Sequence, residues 1–175
     1  MKKIIGNLVK FCLFFFSSNI YAENSPRLHM ILESGVVEIQ TFTNKAPETV
    51  KRIVELAENG FYDGLTFHRV ITGFMAQGGD PNGNGTGGSG KNLKAEFNDI
   101  KHVRGIVSMA RANDPDSADS QFFICYDELP FLDGKYTAWG KVISGMNLID
   151  RIPEGRGQNG QVLSNPTKII TIKVK

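Results

Sequence analysis

The stretch TFHRVITGFMAQGGD, residues 66–80, places one arginine inside a strand-like run of apolar side chains. Because side chains alternate between the two faces of a strand, we expect Arg69 to share a face with Phe67, and Met75 to share one with Gln77. A guanidinium beside apolar groups and a neutral amide has two interpretations. It is either a surface cation whose stem covers apolar groups or a fixed hydrogen-bond donor inside a binding site.

The glycine-rich loop that follows resembles two ligand-binding motifs, and each of them lacks a required residue. GTGGSGK, residues 85–91, has the spacing of a phosphate-binding loop, but Asn92 stands where a hydroxyl should hold magnesium. DPNGNG, residues 80–85, matches the first half of an EF-hand calcium loop, but its twelfth position is Lys91 instead of glutamate. We therefore expect neither nucleotide nor calcium, and interpret the loop as glycine backbone that lies close to a bound molecule.

The remaining reactive residue types form no recognisable centre. His29, His68 and His102 lack the spacing of zinc ligands, and no serine lies in a G-x-S-x-G context. Cys125, within the apolar run FFICY, is interpreted as a packed core side chain. The sequence therefore predicts no metal site, no cofactor and no general acid–base pair.

The first 22 residues differ from the rest of the chain and resemble a secretory signal peptide. Lys2, Lys3 and Lys10 carry their only charges, an apolar run occupies residues 11–20, and a cleavage site is expected after Ala22. The apolar run is too short for a membrane span, although an uncleaved anchor is the alternative. We expect export to the periplasm or outside the cell, with no stable membrane insertion after cleavage, and one domain over residues 23–175.

Cleavage would change the charge and the thiol content of the chain. The 20 lysines and arginines exceed the 18 aspartates and glutamates by two, so loss of three lysines would turn +2 into −1. No basic stripe then remains to indicate a nucleic-acid partner. Cleavage would also remove Cys12, which excludes a disulfide within the mature monomer.

Periodicity predicts the elements that position these residues. A hairpin is expected over 28–34 and 36–43, an amphipathic helix begins near Pro47, and a short second helix is expected over 144–152. Further strands are expected at residues 66–71, 73–77, 105–110, 121–126, 136–142 and 167–174. The pattern predicts a mainly β fold, a closed eight-stranded antiparallel barrel capped by two helices. Such a barrel fills its interior with side chains, so a site must lie on its outer wall or rim.

Three stretches together resemble cyclophilin-type peptidyl-prolyl cis-trans isomerases: YDGLTFHRVITGFMAQGGD, SMARANDPDSADSQFFICYD and FLDGKYTAWGKVISGM. The resemblance to this family, in a bacterial-like and exported form, runs from about residue 28 to the C-terminus. It implies an eight-stranded barrel with two capping helices. It also implies an enzyme, active as a monomer, that accelerates rotation about Xaa-Pro bonds in unfolded or partly folded proteins. The alternative is a non-catalytic chaperone or binding module for proline-containing segments.

The resemblance also assigns the site residues. It makes Arg69 the catalytic residue. It places on the proline pocket and the substrate groove Phe74, Met75, Gln77, Ala110, Phe123 and Leu132, and on the neighbouring wall Thr86, Gly87 and Ala112.

Three further positions depart from the family pattern. Arg111 stands where the family often has asparagine, but the contact implied there comes from the backbone. Phe131 replaces the tryptophan of cyclosporin-sensitive members, and Tyr136 replaces a common histidine. These two changes imply weak cyclosporin binding rather than loss of catalysis.

Overall fold

The computed structural model describes residues 25–175, so the predicted signal peptide, residues 1–22, lies outside the described residues. Eight strands and two helices follow one another along this part of the chain. They are β1 (Arg27–Leu32), β2 (Gly35–Thr41), α1 (Pro47–Glu58), β3 (Arg69–Ile71), β4 (Met75–Gly78), β5 (Ile106–Met109), β6 (Phe122–Cys125), β7 (Ala138–Ser144), α2 (Met146–Ile149) and β8 (Ile169–Val174). Two 3₁₀ turns lie at Pro115–Ser117 and Pro130–Leu132. None of the helices over residues 25–175 is long and apolar enough to span a bilayer.

Helix α1 forms where the spacing predicts it. Val50, Ile53 and Leu56 recur on one face and are buried, so this face packs against the sheet while charged residues face water. Pro47 occupies the first turn, where its missing N–H costs nothing. The Glu96 carboxylate accepts backbone N–H groups of the first turn, at 2.8 and 3.0 Å, and caps the helix from a distant loop. Sequence periodicity therefore sets the helix, and a tertiary contact completes its start.

The strands form one curled antiparallel sheet in the order β3-β4-β6-β5-β7-β2-β1-β8. The site lies at its β3 end, where β3, β4, β6 and β5 are neighbours. In this region Arg69 pairs with Gln77, Gln77 with Phe123, and Phe123 with Ser108. Paired residues of antiparallel strands point to the same face. The register therefore lines up these four side chains across the sheet.

The expectation of a closed barrel is wrong, because β3 and β8 remain the edges of an open half-barrel. The outer edge of β3 is used by the 155–161 loop instead: the Val70 N–H donates to the Gly160 carbonyl at 2.7 Å, and the Gly155 N–H donates to the Val70 carbonyl at 3.0 Å. The chain meets the β8 side just before β3, where the Ile169 N–H donates to the Leu65 carbonyl at 2.8 Å and the Phe67 N–H donates to the Thr167 carbonyl at 3.0 Å. With its backbone groups already bonded to a loop, the three-residue β3 cannot pair along β8.

Two apolar clusters fill the structure. The larger one lies under the helices and includes Trp139 and Phe122, whose rings meet edge to face. Phe67 packs in this cluster as well, so it does not share a face with Arg69 as expected, because regular strand geometry begins only at Arg69. The smaller cluster lies beneath the site and comprises Met75, Ile106, Phe123, Cys125, Leu129, Leu132 and Ala138. Cys125 is fully buried, as expected, and burial raises the pKa of its thiol to about 12.

Candidate active site

The Arg69 guanidinium is held from two sides. Its Nε donates to the Asn159 carbonyl at 2.9 Å, and its Nη1 donates to Gln77 Oε1 at 3.1 Å. Of its five N–H groups, three have no partner among residues 25–175. Burial lowers its pKa from the usual value, and nearby Tyr136 opposes this change, but a guanidinium stays protonated at any physiological pH. The group is a fixed cation with unused donors.

A small pocket with an apolar floor lies beside this cation. Nine of the residues that the resemblance assigned line a cavity of about 100 Å³ here: Arg69, Phe74, Met75, Gln77, Ala110, Arg111, Phe123, Leu132 and Tyr136. Met75, Phe123 and Leu132 are at most 5% exposed, so they form its floor. The Phe74 ring lies 5.9 Å from the guanidinium carbon. We call this cavity the proline pocket, after the role that the resemblance implies for its lining residues.

A second, polar cavity of about 330 Å³ adjoins the proline pocket and shares Gln77, Ala110 and Arg111 with it. Its lining includes Thr86, Gly87 and Ala112, which the resemblance placed on the neighbouring wall. The two cavities together form a groove along which an extended peptide can lie. Thirteen residues were assigned to the site, and only Phe131 lies outside both linings.

Gln121 is a site residue that sequence reasoning missed. Its Oε1 accepts a hydrogen bond from Gln77 Nε2 at 2.9 Å, and its Nε2 donates to the Gly87 carbonyl at 2.8 Å. Because the Gly87 carbonyl can only accept, it must face the nitrogen of the Gln121 amide. The Gln121 oxygen then faces the Gln77 nitrogen, and the Gln77 oxygen faces Arg69. Strand alternation offered the signal, since Gln121 lies two residues before Phe123.

The glycine loop over residues 80–87 is organised by one carboxylate. Asp80 accepts the backbone N–H groups of Asn82, Asn84, Gly85 and Gly87. Burial raises the pKa of Asp80, but the N–H groups of Asn82, Gly85 and Asn84, together with the nearby His68, lower it by more, so the net shift is downward. Any side chain at Gly87 would collide with this carboxylate. The sequence resembles a calcium loop here because an aspartate among glycines also suits this arrangement of backbone donors.

Aromatic and cationic side chains form the rim of the groove. Phe131 is 58% exposed and rests against Phe74, with ring centroids 5.8 Å apart. The Arg111 guanidinium lies over the Tyr136 ring at 4.6 Å and donates to the Ala112 and Lys135 carbonyls. Arg111 therefore contributes its side chain to the wall between the two cavities, whereas the resemblance implied only a backbone contact at this position.

A buried serine–histidine–aspartate array, which the sequence did not indicate, lies beneath the proline pocket. His102 Nδ1 is 3.1 Å from Asp133 Oδ1, and its Nε2 is 3.1 Å from Ser108 Oγ. The three residues are separated by 6 and 25 positions along the chain, a spacing that matches no motif. Ser108 is 0% exposed, so a substrate cannot reach its hydroxyl and the array is not a hydrolytic triad. Residues 25–175 contain no cluster of three or more potential metal ligands.

The chain is similar in sequence to a known protein family. The family model "Cyclophilin type peptidyl-prolyl cis-trans isomerase/CLD" matches residues 27–174. A probable peptidyl-prolyl cis-trans isomerase of Brucella abortus is 45% identical over 156 residues, which cover 82% of this chain and 80% of the relative. Peptidyl-prolyl cis-trans isomerase B of Bacillus subtilis is 45% identical over 130 residues, which cover 73% and 90%.

Solved structures show the same similarity. A cyclophilin-type peptidyl-prolyl cis-trans isomerase of Cryptosporidium parvum, crystallised in the presence of the dipeptide Ala-Pro, superimposes with a TM-score of 0.77 at 33% identity. The match covers 85% of this chain and 98% of that protein. By sequence and by fold, the chain belongs to the cyclophilin-type peptidyl-prolyl cis-trans isomerase family.

Proposed function

We propose that this isomerase accelerates rotation about Xaa-Pro bonds without forming a covalent bond, with Arg69 as the catalytic residue. The observation that carries the proposal is a guanidinium fixed by Gln77 and Asn159 at the edge of an apolar pocket, with three N–H donors to spare. Such a group is preorganised before substrate arrives. It therefore costs little to reorganise at the moment of reaction.

The chemistry of the prolyl bond explains why a donor is useful. Lone-pair donation from nitrogen gives the C–N bond double-bond character, and rotation must cross a barrier of about 18–20 kcal/mol. In the twisted amide this conjugation is lost, so the prolyl nitrogen becomes pyramidal and basic. A guanidinium that donates to this nitrogen stabilises the twisted form and neither planar form, which is the condition for catalysis.

The pocket residues have complementary roles in this proposal. Phe74, Met75, Phe123 and Leu132 hold the pyrrolidine ring, and their apolar surfaces exclude water from the Arg69 donors. A hydrogen bond in such a site is stronger than the same bond in water. Gln77 orients the guanidinium through its side-chain oxygen. The polar cavity takes the neighbouring part of the peptide chain.

The clients in this proposal are proline-containing unfolded or partly folded proteins. A module that only binds proline segments is the second candidate, but binding alone does not require a cation held at the edge of an apolar pocket. The test is the cis-to-trans relaxation of an Ala-Pro peptide, followed by NMR exchange or by a coupled protease. We expect the rate to rise in proportion to protein concentration. A protein that binds the peptide and leaves its rate unchanged would be a binding module.

We also propose that the protein acts as a monomer and needs no metal or nucleotide. The residues of a single chain are enough to enclose the proline pocket, and the Asp80 carboxylate is already occupied by backbone donors. Light scattering should give a monomer mass, and chelator-treated enzyme should keep its rate. A rate that is lost and then restored by calcium or magnesium would contradict this proposal.

Export is a further proposal, supported by the charged-then-apolar opening of the chain. We expect the mature N-terminus at Glu23 and the protein in the periplasm or outside the cell. Mass spectrometry of protein from the native host, after cell fractionation, should show loss of residues 1–22. An intact chain in the cytoplasmic fraction would refute it.

A further inference from the structure

The buried array beneath the proline pocket ties three separate segments together. His102 is 1% exposed, and it lies between Asp133, which follows the 130–132 turn, and Ser108 on β5. The Asp133 Oδ1 atom also accepts the His102 backbone N–H at 2.8 Å, and its Oδ2 atom lies 3.2 Å from Lys101 Nζ. His102 is therefore held at both ring nitrogens and at its backbone N–H.

The chemistry of these partners determines the proton positions. An ionised carboxylate can only accept, and the His102 backbone N–H is the main cause that keeps the pKa of Asp133 below its usual value. The Nδ1 atom of His102 must then carry the proton, which leaves Nε2 as an acceptor for the Ser108 hydroxyl. Turning the ring over would break both bonds. The array thus specifies one orientation of the imidazole.

This fixed imidazole lies against Phe123, a floor residue of the proline pocket. The two rings are nearly parallel, with 20° between their planes and 6.3 Å between their centroids. The Phe123 and Tyr136 rings also meet edge to face, with 5.8 Å between their centroids and 81° between their planes, so Phe123 contacts two rings. The residue that pairs with Phe123 on β5 is Ser108, a member of the array.

The array also reaches the second floor residue of the pocket. Leu132 directly precedes Asp133, whose carboxylate is anchored to His102. The His102 carbonyl in turn accepts the Leu129 N–H at 2.7 Å. Phe123 and Leu132 are therefore both connected to His102, Phe123 through ring contact and Leu132 through its neighbour Asp133, which bonds to the ring and to the backbone of His102.

We propose that His102 is a positioning residue of the isomerase: anchored by Asp133 and Ser108, its ring sets where Phe123 and Leu132 hold the proline ring against Arg69. This inference rests on the proposed role of the proline pocket. A phenylalanine in place of His102 could fill the same space, but its ring would make no hydrogen bond to fix its orientation. The prediction is that activity depends on the polar anchors of the ring and not only on its volume.

The main test compares His102→Phe with a pair of changes at the anchor. Asp133→Asn keeps an oxygen that can accept from Nδ1, whereas Asp133→Leu has the same size and no acceptor. We expect His102→Phe and Asp133→Leu to lower kcat/KM on an Ala-Pro peptide by about tenfold, within the 10²-fold that a small misplacement can cost. Asp133→Asn should stay within about threefold of the unmodified protein, as a conservative replacement of the acceptor.

A stability-matched control separates positioning from general loosening. Met30 is 0% exposed and belongs to the larger cluster, away from the pocket, so Met30→Ala should lower the melting temperature without changing kcat/KM at 10 °C. In protein labelled with ¹³C at phenylalanine, the NMR chemical shifts of the Phe123 ring should change in His102→Phe and in Asp133→Leu. They should stay the same in Met30→Ala.

Three outcomes would overturn the inference: full activity in folded His102→Phe, equal activity in Asp133→Leu and Asp133→Asn, or an equal loss of activity in Met30→Ala. Should His102→Phe fail to fold, the Asp133 pair still decides, because this side chain is partly exposed. A wild-type protein without isomerase activity would refute the proposed function instead, so the two failures are distinguishable.

Discussion

A strand arginine can serve as a surface cation or as a fixed donor, and the surroundings of Arg69 favour the fixed donor. A surface cation would extend into water, but the guanidinium bonds to Gln77 and Asn159 and lies near the Phe74 ring. Strand alternation could predict the Gln77 neighbour. The Asn159 carbonyl could not be predicted, because it comes from a loop 90 residues away with no periodic pattern.

The rim residue Phe131 gives a prediction about inhibitor binding. Tryptophan at this position would place an indole N–H at an exposed site beside Phe74, where phenylalanine offers no donor. A group of cyclosporin A that would accept from this N–H is left without a donor when it is buried against phenylalanine, which costs about 1–3 kcal/mol. Phe131→Trp should therefore bind cyclosporin A about ten- to a hundredfold more tightly than the unmodified protein. Calorimetric titration of both proteins measures this difference.

The matched control for this change is Leu163→Trp, which adds an indole at another exposed position, 69% accessible. It should leave the affinity for cyclosporin A unchanged. Tight binding by the unmodified protein, equal to that of Phe131→Trp, would contradict the role assigned to the missing donor.

At the scale of elements, the 80–87 loop depends on the Asp80 carboxylate. Asparagine has one acceptor oxygen where aspartate has two, so Asp80→Asn should leave some of the four backbone N–H groups without a partner. We expect a loss of about 1–3 kcal/mol in the free energy of unfolding and faster amide exchange at Gly85 and Gly87. Urea titration and hydrogen exchange measure the two effects.

The comparison variant is Asp114→Asn, which alters a carboxylate that accepts a single N–H from an exposed turn. It should change stability far less. Unaltered exchange protection at Gly85 and Gly87 in Asp80→Asn would mean that the loop is held by other contacts.

Side-chain periodicity predicts some helices and strands well, but it does not predict features that depend on tertiary contacts. Helix α1 and hairpin β1–β2 follow from side-chain periodicity, which reports burial directly. The second helix was expected over 144–152 but covers only Met146–Ile149, since its apolar residues Met146, Leu148 and Ile149 do not specify where a helix ends. Openness of the sheet depends on the 155–161 loop, and the His102 array depends on tertiary contacts. Neither leaves a local pattern in the sequence.

At the scale of the whole molecule, two buried histidines make stability depend on pH. Burial lowers the pKa of His68 and of His102, with Asp80 and Asp133 opposing it. The folded state therefore keeps both rings neutral at pH values where the unfolded chain, with a pKa of about 6.5, takes up protons. The contribution of these two neutral rings to the free energy of unfolding is fully present above about pH 6.5. It is lost as the pH falls from there through the two folded pKa values.

The expected slope is up to about 1.4 kcal/mol per pH unit for each histidine. Urea titrations at pH 7.5, 6.5 and 5.5 should show the decline, and His68→Gln should reduce its slope by about half. A further loss is expected below about pH 4, since the folded pKa values of Asp80 and Asp133 are also lowered. A free energy of unfolding that is constant from pH 7.5 to 5.5 would contradict the assignment of buried neutral rings.

The central claim is that Arg69 acts on the twisted prolyl bond and not on the planar one. The most direct measurement compares the isomerisation rate of an Ala-Pro peptide with its dissociation constant in Arg69→Ala, Arg69→Lys and the distant control Arg27→Ala, with circular dichroism to confirm folding. We expect Arg69→Ala to lower kcat/KM by about 10²–10³-fold, Arg69→Lys to recover little because its charge lacks the planar geometry, and peptide affinity to change far less. An equal fall in affinity and rate would make Arg69 a binding residue, and unchanged values of both would make it a surface cation.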